Sequence, residues 1–267
     1  MAVLVCLHAH PDDEVMSTGG TMMKAVDEGH TVVLVTATGG ECGEYPEGFL
    51  TEGETLKDRR SKELDKSVEI LGIHKLVRLG YRDSGMIGTE DNQNPDCFWQ
   101  ADVELAATKL AEILVSLDSD VLTVYDDHGG YGHPDHIQLH RVGIRAAEIA
   151  GIKRVFQASM NRDLFKEFLA SAPRDDGSET EGPQVPDLDE FTIGTPESDL
   201  NVCVDVVGYV DRKREALLAH ASQIPEDSWF QSLPEELVTR MFSREWFIYG
   251  GVDGGKQITD LFDPSLH

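Results

Sequence analysis

The sequence predicts an α/β fold, a mostly parallel sheet flanked by helices, on three observations. Short β-branched runs, AVLVCL at 2–7 and TVVLVTAT at 31–38, have the length and composition of strands buried on both faces. Between them, DDEVMSTGGTMMKAVDEGH carries helical spacing at Val15, Met22, Met23 and Val26 and stops at Gly29, which makes a βαβ unit. Strand and helix then alternate at least four times, the pattern of a layered parallel sheet.

The later elements follow in order. TLKDRRSKELDKSVEILGI reads as a helix ended by Gly72, and KLVRLGY as the next strand. ADVELAATKLAEILVSL is a helix, VLTVYD a strand, HPDHIQLHRVGIRAAEIAG a helix and RVFQASM a strand. Residues 171–199 are rich in Pro, Gly and acids without periodicity, and are expected to be a flexible acidic segment. NVCVDV (strand), YVDRKREALLAHASQ (helix), a short helix near PEELVTRMF and a last strand REWFIYGG complete the chain. We expect a single domain over 1–267, finished by these smaller C-terminal elements.

Composition narrows the partners. With 267 residues, 40% of them apolar, the chain can bury one sizeable core. A formal net charge of −26 repels phosphate backbones and anionic lipid, so neither nucleic acid nor a membrane is expected as a partner. Four scattered cysteines, Cys6, Cys42, Cys97 and Cys203, read as reduced thiols. MAVLVCLHAH lacks the basic region and cleavage site of a signal peptide, so the expected location is cytoplasmic. A small neutral or sugar-like ligand suits the charge, and a homo-oligomer is compatible with it.

In open parallel sheets, ligands bind beyond the carboxyl ends of the strands. HAHPDDE (8–14), TGGECGEYPEG, YRDSGMIGTEDNQ and DDHGGYGHPDH all leave strands at that edge. In the first, His10 and Asp13 stand three apart at a helix start; in the last, His133 and His136 repeat the spacing behind Pro134. His10, Asp13 and one or both of the later histidines would hold a divalent metal with positions left open for water and substrate, a catalytic pattern. Either cluster alone reads equally well as first-turn acids complementing a helix dipole; the pair favours a metal. Asp12, unligated beside Asp13, is then the candidate base for a metal-activated water attacking a carbonyl. Tyr131 and His133 are candidates for stabilising the oxyanion and protonating a leaving amine, with Asp135 setting the charge and tautomer of His133. His8 reads as a hydrogen-bonded supporting or core histidine, and His30, His74, His140 and His267 as surface residues.

A-H-P-D-D-E after the first strand, together with G-Y-G-H-P-D-H midway, resembles the zinc-dependent N-acetylglucosaminyl deacetylases of the PIG-L/LmbE type. The similarity runs through YRDSGM to K-R-E-A-L-L-A-H-A-S-Q. The resemblance implies a Rossmann-like fold and hydrolysis of an N-acetyl group, or a related amide, on a glucosamine-containing small molecule. It implies zinc on His10, Asp13 and His136, Asp12 as base, and His133, oriented by Asp135, as acid or electrostatic stabiliser, with Tyr131 near the oxyanion. Arg60 and Asp83 resemble residues that hold sugar hydroxyls, and Ser17 one that lines the sugar pocket. The motifs are most similar to those of the mycothiol-pathway enzymes, a deacetylase and an S-conjugate amidase, and Ser17 leans toward the deacetylase. Fe2+ or another divalent ion would suit the same donors, which keeps a non-haem iron oxygenase as a rival, although the α/β alternation argues against it. A metallo-β-lactamase-like hydrolase would need a histidine at position 13. A nucleotide-binding or non-enzymatic α/β protein lacks its phosphate fingerprint after the first strand.

Overall fold

The apolar run Val3–His8 is β1, a central strand of the computed structural model, which describes residues 1–171, 192–225, 228, 231, 233–250 and 257–266. It pairs in parallel with β2 (Thr31–Thr38) on one side and β4 (Val121–Tyr125) on the other. With β3 (Lys75–Tyr81), β5 (Arg154–Ser159), β6 (Val202–Asp205) and β7 (Arg244–Tyr249), the sheet order is β3-β2-β1-β4-β5-β7-β6. The first five strands are parallel, and β7 runs antiparallel to both β5 and β6. The order reverses between β1 and β4, so the switch-point crevice opens where HAHPDDE and DDHGGYGHPDH leave the sheet.

Side chains alternate across β1. Leu4 and Cys6 join the core under α1 (Asp13–Asp27), α2 (Leu56–Leu71) and α7 (Val210–Leu218), with Met22, Met23, Leu64 and Leu217. Val5 and Leu7 face the opposite core with Leu110 of α3 (Val103–Ser116) and Leu139 and Val142 of α5 (Pro134–Ala150). A four-residue turn, α4 (Gly129–Gly132), precedes α5, while α6 (Arg162–Ser171) and α8 (Glu235–Phe242) flank β7. Local chemistry sets the helix ends: Thr55 and Asp58 form a capping box for α2, and Gly72 and Gly151 close α2 and α5 in left-handed conformation.

Three features depart from the sequence reading or extend it. Helix α7 ends at Leu218 rather than running to Gln223, because Ser222 donates its N–H and hydroxyl to Glu63 and Gln223 donates to the Glu44 carbonyl. His30 and His140 are half-buried: the first stacks on Phe262 and accepts the Ala2 N–H, the second bonds the Tyr125 carbonyl. Of the acidic segment 171–199, residues 172–191 lie outside the described residues, as does His267. Its described end is anchored: Thr195 bridges Asn161, Gly194 donates to the Gly130 carbonyl at 2.7 Å, and Arg162 bonds the carbonyls of Thr192, Ile193 and Gly194.

Candidate active site

The two His/Asp clusters meet. The chain turns sharply out of β1 at His10 and enters α1 at Asp13; from β4 it passes through α4 and enters α5 at Pro134, which has His133 as its N-cap. His10 Nδ1, Asp13 Oδ2 and His136 Nε2 stand at the corners of a nearly equilateral triangle with edges of 3.2, 3.3 and 3.3 Å.

Hydrogen bonds assign each ring. His136 Nδ1 lies 3.2 Å from the Gly129 carbonyl, which can only accept, so Nε2 keeps its lone pair. His10 Nε2 lies 3.1 Å from Asp135 Oδ2 and 3.6 Å from Asp83 Oδ1, so it carries the proton and Nδ1 is free. The carboxylate oxygen Asp13 Oδ2 accepts from the backbone N–H of His10 and the Tyr125 hydroxyl, both at 2.8 Å. Three donor atoms therefore converge on one point, where a bound metal would take the place of the second proton that the surrounding carboxylates favour on His10. A tetrahedral ion with bonds of about 2.0 Å has donors spaced about 3.3 Å apart, so the donor set fits a divalent metal ion. Burial opposes a charge on either group, yet the facing histidines hold Asp13 well below the usual carboxylate range and Asp13, Asp135 and Asp83 lift His10.

His133 sits against this triangle, its ring centroid 4.5 Å from that of His10. Its Nδ1 accepts the Asp135 N–H at 3.2 Å, which leaves the Nε2–H to donate, and burial pushes its pKa down to about 4. The carboxylate of Asp135 raises the pKa of His133 through its charge, as the sequence reading expects, but its hydrogen bonds go elsewhere. It is fully buried and accepts from His10, from the Ser84 N–H at 3.0 Å and from the Ser84 hydroxyl, so it holds the ring of His10, while only its backbone N–H orients His133. The cause is the helix start, where an N-cap side chain turns back onto backbone N–H groups and the first-turn carboxylate points across the crevice.

Asp12 flanks the triangle in a left-handed conformation, φ 108° and ψ −32°. Burial lifts its pKa to about 6 against the opposing charge of Arg60, whose guanidinium lies 3.1 Å away. Arg60, expected at a sugar hydroxyl, is itself buried and bonds the carbonyls of Gly40 and Pro11. Asp83 is buried beside His10 and accepts the N–H groups of Cys42 and Gly85. Half-exposed Tyr131 packs edge-on to His136. Ser17, one turn along α1, lines a cavity with Met16, Asn161, Phe165 and Trp246. His8 is a buried core histidine bonded to Thr18 at 2.8 Å. Sequence reasoning passed over Tyr125, which stacks on His136 and bonds Asp13; a polar-tipped aromatic ending an apolar strand at the site edge was its one signal.

The family model described as GlcNAc-PI de-N-acetylase, PIG-L, matches residues 5–147, a span that holds both halves of the site. The chain belongs to the PIG-L family. It is 40% identical over 256 residues, 92% of this chain and 87% of the relative, to a 1D-myo-inositol 2-acetamido-2-deoxy-alpha-D-glucopyranoside deacetylase of Acidothermus cellulolyticus. It is 38% identical over 286 residues, 97% and 98% of the two chains, to the like-named deacetylase of Thermobifida fusca. Among solved structures, an N,N'-diacetylchitobiose deacetylase from Pyrococcus horikoshii shares the fold, with TM-score 0.59 and 23% identity over 92% of this chain and 82% of that one. This PIG-L chain is thus an enzyme of an amide-hydrolysing family. Among its described residues, no helix is long and apolar enough to cross a membrane.

Proposed function

We propose that the enzyme removes the N-acetyl group of a glucosaminyl inositol, with a zinc ion held by His10, Asp13 and His136. The observation that carries the reading is the triangle of three donor atoms 3.2 to 3.3 Å apart, with the carboxylate of Asp12 next along the chain and close enough to Asp13 for the two charges to interact. The activity for which the relatives are named supplies the inositol aglycone, and favours a deacetylase over an S-conjugate amidase. A bound zinc would supply Lewis acidity toward the amide carbonyl and an acidified water.

The chain's own residues do the rest. Asp12 takes the proton of the attacking water and returns it to the nitrogen of the leaving amine, a task suited to a carboxylate raised toward neutrality yet kept ionised by Arg60. His133 points its Nε2–H at the oxygen on which charge develops, because Nδ1 is spent on the helix N-terminus. Tyr131 adds its hydroxyl at the mouth of the site. Asp135 and Tyr125 hold the ligand side chains in register. Sugar hydroxyls fall to Ser17 and Asp83, while Arg60 serves the sugar side of the site by fixing Asp12.

The test is acetate release from N-acetylglucosaminyl inositol with and without a chelator, beside thiol-conjugate amides and chitooligosaccharides. Chelation abolishes release and added zinc restores it; Asp12→Ala keeps its metal and loses activity by at least about 10²-fold, the scale of a general base. A metal-loaded enzyme that cleaves none of these amides would overturn the reading. Preference for the thiol conjugate would replace the deacetylase with the amidase.

A further inference from the structure

The general base assigned above sits in a backbone conformation that a non-glycine residue rarely adopts, a strain that the surroundings must offset. Both ends of the peptide unit leading into Asp12 are gripped. Its carbonyl, that of Pro11, accepts from Arg60 at 2.5 Å, and its N–H, that of Asp12, donates to Glu14 Oε2 at 2.8 Å. Fixing the carbonyl and N–H of one peptide fixes its plane, and with it φ of Asp12.

Glu14 is an expensive grip. A first-turn glutamate serves a helix dipole well enough from the surface, whereas this one is fully buried, where an unpaired carboxylate is strongly disfavoured. Its second oxygen, Oε1, accepts from the Ser67 hydroxyl of α2 at 2.7 Å and lies 2.8 Å from His220 Nε2, just past the end of α7. Both partners are fully buried as well. Since a carboxylate only accepts, His220 is the donor. Three elements thus converge on one side chain whose remaining oxygen holds the N–H of Asp12.

From this geometry we infer that Glu14, backed by His220 and Ser67, is a positioning residue for the reaction: it holds the strained Pro11–Asp12 peptide so that the Asp12 carboxylate meets the water. The inference rests on Asp12 being the base. It gives a task to the third acid of HPDDE and to the histidine of KREALLAHASQ, neither of which touches the proposed metal.

The experiment compares Glu14→Ala, Glu14→Gln and His220→Gln with Asp12→Ala, measuring kcat, KM, bound zinc per chain and thermal midpoint. Misplacing a catalytic group by about 1 Å costs about 10²-fold, so Glu14→Ala is expected to lose about that factor in kcat per zinc-loaded site, with KM within about twofold. Glu14→Gln keeps a carbonyl for the Asp12 N–H and regains most of the loss; His220→Gln shows a smaller fall in kcat in the same sense. A Glu14→Ala protein whose activity falls only in proportion to its zinc-loaded, folded fraction overturns the inference and leaves Glu14 as a helix anchor. Equal losses in the Ala and Gln variants do the same. Should Glu14→Ala not fold, His220→Gln decides: kcat lowered at constant KM and zinc supports positioning, unchanged kcat refutes it. An active Asp12→Ala would instead overturn the choice of base, an outcome distinct from both.

Discussion

At the scale of single residues the sharpest consequence concerns Arg60 and the ionisation of Asp12. Burial raises the Asp12 pKa to about 6 and Arg60 pulls it back, so removing the guanidinium raises it further. The base must be ionised to work; a higher pKa therefore moves the acid limb of kcat/KM to higher pH. Arg60→Gln is expected to shift that limb upward relative to wild type, in a pH profile taken at constant zinc. A limb that stays or moves down would separate Arg60 from the base. Sequence alone singled out His10, Asp12, Asp13, His133 and His136, because ligand and base chemistry selects residue types at short, countable spacings. The target of Asp135, the inward turn of Arg60 and the burial of Glu14 against His220 were not legible, since each depends on which segments pack together across 48, 125 or 206 residues.

Among the elements, α5 has the most at stake, because it delivers His136 and Asp135 from its first turn while its middle lies on the sheet. Gly143 makes that contact: a Cβ there would come within 2.6 Å of Val124 Cγ1 and 2.9 Å of Leu7 Cδ1, on β4 and β1. Gly143→Ala must lift the helix or force those side chains off their rotamers, and overpacking of this kind costs about 1–3 kcal/mol. The expected result is a lower urea midpoint at unchanged m-value together with weaker zinc binding, since His136 rides on the displaced helix; a lower midpoint at wild-type zinc affinity would show that the two ends of α5 are decoupled. The strands and the longer helices were readable from periodicity and glycine stops, whereas α4 and α6 formed no part of that reading. What periodicity could not show was the reversal of β7, because a short apolar run is the same in either direction and its sense is set by the strand it pairs with.

For the whole molecule, the decisive fact is that the proposed metal ligands lie up to 126 residues apart and meet only when the sheet order has brought the exits of β1 and β4 together. An unfolded chain offers no such triangle, so the proposed zinc would bind the folded state and stabilise it by mass action, about 2.7 kcal/mol at a hundredfold excess over Kd. For a chain of this size, each kcal/mol is worth roughly 2–4 °C. Zinc added to chelator-stripped protein should therefore raise the thermal midpoint by roughly 5–10 °C. Asp13→Ala, which removes one corner of the triangle, should show neither the rise nor activity. Asp12→Ala should keep the rise and lose the activity, because its carboxylate stands outside the triangle. Calorimetry on the three proteins separates holding the metal from using it: a rise that survives in Asp13→Ala, or vanishes in Asp12→Ala, would exchange the roles of the two neighbouring aspartates.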